Sequence, residues 1–490
     1  MGASELYTEL NRQFIHGKWT DGSSTRQTEN LNPYDQSKIH DFQLASIADV
    51  DAAYNAAKVA QKSWEATTPV ERIALIQRLE EVLQARGEEI INWLIRESGS
   101  TRLKASIELG AAQGITAEAK TFPLRVNGEI LPTSVPGQQS RVYRKALGVV
   151  GVISPWNFPF HLSMRSVITA VALGNTVVLK PASDTPVTGG TLLAKIFEEA
   201  GFPAGVINVV VGAGSEIGDY FVEHAVPSLI SFTGSTDVGK RVGQLAVGGK
   251  YIKRIALELG GNAPMVVLDD ADLKQAVDLT LMGRFMHQGQ ICMSTNRVIV
   301  DAKVYDDFVS LLEQKVKTLA VGDPDIMGTL VGPIINQSQK DNVLRIIEQA
   351  KAEGATLLVG GEAQGNIIPP HVFINVDPQS ALAREESFGP VLPVIKANDE
   401  AHALALANDT EYGLSSAVCT TNHERGVNFA LGIEAGMTHI NDITVDDQSH
   451  APFGGEKNSG LGRFNGHWII EEFTRTHWVT LQTTPREYPV

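Results

Sequence analysis

The sequence predicts an α/β protein built around a doubly wound parallel sheet, and three features carry that expectation. After Leu147, short β-branched runs alternate with helical stretches: GVVGVIS, a helix near 163–173, TVVLK, a helix over 189–200, VINVVV, another helix, LISF, and a helix from Ser235. Strands joined by helical crossovers run parallel. Before this, from about residue 48 to 98, Val70, Ile73, Leu75, Ile76, Leu79, Val82 and Leu83 recur at three- and four-residue steps, and Ser98-Gly99 supplies a stop. Finally, 490 residues exceed one ordinary hydrophobic core, so two or three domains are expected.

A second α/β region begins near Pro264, with PMVVL, RVIV and PVLPVI as its strands. Residues 121–146, with NGEILP and SRVYRK, read as an extended hairpin leaving the helical layer. The terminal TRTHWVTLQTTPREYPV alternates large apolar and polar residues as an edge strand does. Alone it would expose an unpaired edge. Pairing with the 121–146 hairpin, within or between subunits, satisfies it and suggests an oligomerisation element.

Hydrophobic residues at 43% and charged residues at 20% match a soluble globular protein. The 41 basic and 56 acidic side chains give a formal charge of −15 without long single-sign blocks, which argues against a nucleic-acid partner. No apolar stretch reaches the ~20 residues of a membrane helix. The start lacks a basic region, an apolar run and a cleavage site, so no secretory signal is expected, and Gly2 alone is a weak myristoylation cue. Two cysteines, Cys292 and Cys419, cannot form a disulfide framework and fit a reducing cytoplasm. No metal site is expected.

For a dinucleotide, the segment from Gly212 to Gly218 (GAGSEIG) has the wrong glycine spacing and reads as a strand-to-helix turn. SFTGSTDVGK is better placed: it ends a strand, turns at Gly234, and offers Ser235 as an N-cap with free amides for a pyrophosphate. Lys180 closes the TVVLK strand, where it can meet ribose hydroxyls, pair with a 2′-phosphate, or simply be solvated.

Cys292, in HQGQICMS, sits where glycine and polar residues interrupt an apolar helix, which suits ligand approach and amide donation to an oxyanion. Cys419, in the apolar run SSAVC, suits an inert buried thiol. PWNFP at 155–159, FTGSTDVG, LELGGN at 257–262, GQICMS and EESFGP at 385–390 together resemble the aldehyde dehydrogenase superfamily, over nearly the whole chain to FGGEKNSGLGR at 453–463.

The resemblance implies an aldehyde dehydrogenase-like fold: a cofactor domain over 1–120 and 147–257, a catalytic domain over 258–462, and a small β oligomerisation element of 121–146 and 463–490. It implies Cys292 as nucleophile, Asn157 as oxyanion donor and Glu258 as general base. Lys180 and Glu386 would hold the two riboses of NAD or NADP, Ser235 would lie near the pyrophosphate, and Phe388 would support the nicotinamide. Ser154, Trp156, Ser183, Phe232, Gly234, Leu259 and Gly260 complete the expected cofactor set. Glutamate at 258 favours hydrolysis to the free acid over transfer to coenzyme A.

Phe158, Leu162, Arg165, Ile291, Met293, Val445 and Phe453 are expected around the aldehyde, a mostly apolar set. Arg165 either recognises a phenolic or carboxylate group or forms a salt bridge away from the tunnel. KPASDTPVTGG, NDITVDDQSHAPFGG and PREYPV look most like the benzaldehyde and vanillin branch, so aromatic aldehydes lead, with aliphatic aldehydes and semialdehydes as alternatives. Serine at 183, where NAD-selective relatives often carry glutamate, removes a repulsion against a 2′-phosphate and suggests use of both cofactors. A homodimer or homotetramer is expected. The competing class is a non-catalytic binding protein of the same fold.

Overall fold

In the computed structural model, which describes residues 6–489, five parallel strands form the centre of an eight-stranded sheet: Val149–Ile153, Thr176–Lys180, Ile207–Val209, Leu229–Thr233 and Arg254–Glu258. In space the third lies beside the second, then come the first, fourth and fifth. Winding thus reverses between the first and fourth strands, and such a reversal opens a crevice at the carboxyl ends. Helices cover both faces, so Val150, Val177, Val178, Leu179, Leu229 and Ile230 are fully buried, and the strands need unbroken apolar runs.

The helical stretch of 48–98 is three helices, Ile47–Glu65, Pro69–Ala85 and Gly87–Ser98. A capping box causes the first break: Thr68 accepts from the Glu71 amide, the Glu71 carboxylate returns a bond to the cap, and Pro69 occupies the first helical position. Gly99, at φ 64°, ends the third helix in the left-handed region. Two expected helices shift. The 163–173 helix begins earlier, as Pro159–Ala172, because Pro159 pre-sets the first turn, and the 189–200 helix is regular only over Leu192–Glu199, behind a wide turn at Val187–Thr191.

A second sheet of seven strands carries Ala263–Val267, Thr295–Asp301 and Val391–Ala397 at its centre, the three runs expected from sequence. The third sheet joins Glu129–Leu131, Gln138–Ala146 and Thr474–Gln482. The terminal strand pairs within the chain, antiparallel, from Thr474 opposite Ala146 to Gln482 opposite Gln138. The extended part of the 121–146 segment starts only at Glu129; a short helical turn, Phe122–Leu124, precedes it. Gly2 lies outside the described residues. Among the described residues no helix is long and apolar enough to cross a membrane.

Candidate active site

Cys292 follows the helix Leu273–Phe285 on a loop with three successive left-handed residues, His287 (φ 51°), Gln288 (φ 48°) and Gly289 (φ 74°). Two of these are non-glycine and cost ~1–3 kcal/mol each, so the surroundings must hold them. Gln288 accepts from the Gly332 amide at 2.9 Å and donates to the Pro333 carbonyl at 2.7 Å, while Gln290 Oε1 accepts from the Ile335 amide at 3.0 Å. Gly261 packs against the Cys292 carbonyl so closely that a Cβ there would overlap it. The Cys292 N–H has no backbone acceptor among the described residues and is free to donate to a bound oxygen.

Asn157 Nδ2 donates one hydrogen to the Gln290 carbonyl at 2.9 Å, two residues before Cys292, and keeps its second hydrogen available. Its backbone is held by a buried ion pair that sequence reasoning missed. Lys104 Nζ donates to the Asn157 carbonyl at 2.6 Å, to Ser100 Oγ at 2.9 Å and to Glu108 Oε2 at 2.5 Å. Glu108 Oε1 in turn accepts from the Phe160 and His161 amides at 2.8 and 3.1 Å, the first turn of the helix that follows Asn157. Lys104 and Glu108 sit one helical turn apart with no motif around them, so the four-residue spacing was the only signal available.

Glu258 ends its strand 2% exposed, and neither carboxylate oxygen has a hydrogen-bond partner. Burial pushes its pKa up to about 8, with Asp447 adding to the rise and Arg165 and Arg463 opposing it. Burial also pushes the Cys292 thiol up to about 12, reinforced by Glu386 and Glu258 and opposed by Arg165. The resting sulfur is therefore a thiol, and its attack needs a proton acceptor.

Two cavities meet at this sulfur, and Asn157 and Cys292 are the residues common to both walls. One, of about 240 Å³, is lined by Trp156, Gly234, Ser235, Gly260, Glu386 and Phe388, with Gln339 and Asn342 added from a helix that no motif marked. Trp156 meets Phe388 edge-on with centroids 5.3 Å apart. Phe388 itself is left-handed at φ 45°, and buried Arg284 fixes that loop by donating to Ser387 Oγ and the Gly389 carbonyl. A neighbouring cavity of about 410 Å³ holds Lys180 and Phe232.

These residues fit a dinucleotide. Buried Lys180 donates to the Pro181 carbonyl at 3.1 Å and retains two N–H groups, with burial lowering its pKa to about 8. Glu386 accepts from the Gly261 amide at 2.8 Å through Oε1. At Gly234 a Cβ would strike the Phe232 ring, so only glycine leaves that floor open. Ser235 takes the N-cap position as expected, in the extended conformation at ψ 151°, and its hydroxyl makes no capping bond, which leaves the first-turn amides free for a pyrophosphate. Ser154 and Leu259 lie off these walls: Ser154 Oγ is buried without a partner, and Leu259 packs under Gly239. Ser183 is exposed and also off the wall.

The other cavity at Cys292, of about 250 Å³, is lined by Phe158, Leu162, Ile291, Met293, Val445 and Phe453, as expected, and by Ile107, Ala111, Met282, Met286 and Ile443. Arg165 is not on this wall, which corrects the reading of a guanidinium facing substrate. It is 1% exposed, clamped between Phe453 and Phe464 at 4.4 and 4.5 Å, and paired with Asp447 at 3.4 Å. A charge so placed would be costly without its carboxylate. Beside Asn157, the polar groups on the wall are instead His161, which no motif marked, and Asp446 and Asp447, which lie in the NDITVDDQSHAPFGG stretch but were given no role there.

A thiol sharing two cavity walls with an amide donor, a buried carboxylate whose charge acts on that thiol, and a dinucleotide cleft make up an aldehyde-oxidising centre. The chain belongs to the aldehyde dehydrogenase family, whose pattern matches residues 19–479. It is 58% identical to a vanillin dehydrogenase of Corynebacterium glutamicum over 98% of this chain and 100% of that one. A benzaldehyde dehydrogenase of Bacillus subtilis is 50% identical over 99% of each chain. The crystal structure of an NAD-dependent benzaldehyde dehydrogenase from Corynebacterium glutamicum superposes with a TM-score of 0.90 at 55% identity, covering 97% of both chains.

Proposed function

We propose that this chain oxidises neutral aromatic aldehydes to carboxylic acids, with NAD or NADP, through a thioester on Cys292. The observation that carries this is the meeting of two cavities at one sulfur: the apolar tunnel and the Glu386–Phe388 cleft share Cys292 and Asn157. A flat ring fits the tunnel, and its carbonyl carbon reaches the thiol.

The residues then act in order. Cys292 adds to the carbonyl carbon as its proton passes to a base. The second Asn157 hydrogen and the Cys292 N–H meet the developing oxyanion in a water-poor site, where preformed donors are most effective. A bound nicotinamide supplies the two-electron acceptor, and the product left on the chain is an acyl thioester. Glu258, unpaired and buried, removes a proton from the attacking water and releases the acid. Lys180 would hold the adenosine ribose and Glu386 the nicotinamide ribose.

Charge argues against carboxylated semialdehydes, because Asp446 and Asp447 on the tunnel wall repel a second anion. The dinucleotide is assigned to residues 1–120 and 147–257, the thiol chemistry to 258–462, and self-association to 121–146 with 463–490. Exposed Ile130, Trp478 and Leu481 on that last sheet support a homodimer or homotetramer. Two cysteines without a bridge support a cytoplasmic setting.

Absorbance at 340 nm with benzaldehyde, aliphatic aldehydes and succinic semialdehyde tests the reading. Turnover is expected to be highest with benzaldehyde; a folded, dinucleotide-binding protein silent across the panel would be a binding protein instead. With the Lys180 ammonium on the cavity wall available to a 2′-phosphate, both cofactors are expected to support turnover, and a discrimination of about a thousandfold against NADP would defeat that part.

A further inference from the structure

Away from Asn157 and Cys292, the tunnel is apolar apart from one built polar cluster. Asp447, on its wall, takes three donors: His161 Nε2 at 3.0 Å and Arg165 Nη1 at 3.4 Å on Oδ2, and Asn465 Nδ2 at 2.6 Å on Oδ1. Those donors outweigh burial and keep its pKa below the ordinary carboxylate value. A carboxylate offers about four acceptor positions, so at least one remains on Oδ1. His161 shares the wall and is 5% exposed; facing an ionised carboxylate, its Nε2 is the donor. Asp446, the next residue, is engaged by Gln448 at 2.9 Å.

Covering such an acceptor with an apolar ring leaves it unsatisfied, whereas a hydroxyl on that ring satisfies it with a charge-assisted bond. We propose that Asp447, held in place by His161, Arg165 and Asn465, accepts a hydrogen bond from a ring hydroxyl of the substrate, so that the tunnel selects hydroxylated aromatic aldehydes over their methyl ethers. This rests on the aromatic-aldehyde reading above and adds the group that is recognised. Arg165 then acts through Asp447 as a positioning residue, and phenolate or carboxylate substituents are disfavoured.

The test compares kcat/KM for 2-, 3- and 4-hydroxybenzaldehyde with the matching methoxybenzaldehydes, using the full chain and NAD. The hydroxyl form is expected to be favoured by about tenfold or more at one ring position at least, the size of a hydrogen bond to a charged acceptor. Asp447→Asn should bring that ratio close to one, whereas Asp446→Asn should preserve it. Quenching of protein fluorescence by NADH verifies that each variant folds; if Asp447→Asn does not, the wild-type series decides alone. A wild-type ratio near one at all three positions, or equal loss of the ratio in both variants, overturns the proposal. Absence of benzaldehyde turnover would instead overturn the broader reading.

Discussion

As the proposed base for thioester release, Glu258 should set a measurable limit on turnover. Its pKa is about 8 because burial opposes ionisation and no donor stabilises the carboxylate. The ionised form is the base, so the competent fraction is about one-tenth at pH 7 and about nine-tenths at pH 9 for a group with that pKa. Where hydrolysis limits turnover, kcat should therefore rise about ninefold between those values and level off above them. Glu258→Gln removes the base, which is typically worth about 10²–10⁴-fold, and removes the rising limb with it. Rapid mixing with benzaldehyde and NAD reads both steps: a first turnover at 340 nm, then a slow steady state as acyl-enzyme accumulates. A Glu258→Gln enzyme with wild-type turnover and the same pH slope would refute the assignment.

Cys292→Ala should abolish oxidation while leaving NADH fluorescence quenching intact, since the thiol touches only the end of the dinucleotide cleft. Asn157→Ala removes one oxyanion donor and should lower kcat about 10²-fold or more, ~3 kcal/mol, seen in steady-state kinetics with benzaldehyde. Lys104→Met leaves Glu108 buried and unpaired; thermal unfolding should show a loss of ~3–5 kcal/mol, and the surviving fold should lose kcat more than KM as Asn157 loosens. Three buried carboxyls should also make stability fall as pH rises from about 5 to 8. Glu258 at about 8 and Glu97 and Glu386 at about 7 bind protons in the folded chain that the unfolded chain releases near 4.5, so their contribution to stability is fully present below that value and is lost as pH rises through 8. Glu258→Gln should therefore gain more in Tm over wild type at pH 8.5 than at pH 5.

Periodicity and short motifs were legible wherever a local rule acts. Four of the five parallel strands were legible as short β-branched runs, whereas Arg254–Glu258, RIALE, carries a charge at each end and was not, and Cys292, Asn157 and Glu258 each stand in a recognisable motif. Boundaries were less legible: Pro159 starts a helix four residues before the apolar rhythm suggests, and Thr68 with Glu71 breaks a rhythm that continues across it. Three-residue strands such as Gln13–Ile15 are too short to show a period at all.

From the sequence alone came the fold class, the family resemblance and the proposal of Cys292, Asn157 and Glu258 as the reacting set, because each depends on residues adjacent in the chain or arranged in a fixed order. Only the tertiary structure decided that Arg165 faces Asp447 and two aromatic rings rather than substrate, that Lys104 and Glu108 brace Asn157, and that His161 and Asp447 line the tunnel. His161 and Asp447 are 286 residues apart in the chain. Nothing local records such a pairing, since it exists only once helix and loop pack together and exclude the water that would otherwise have solvated both.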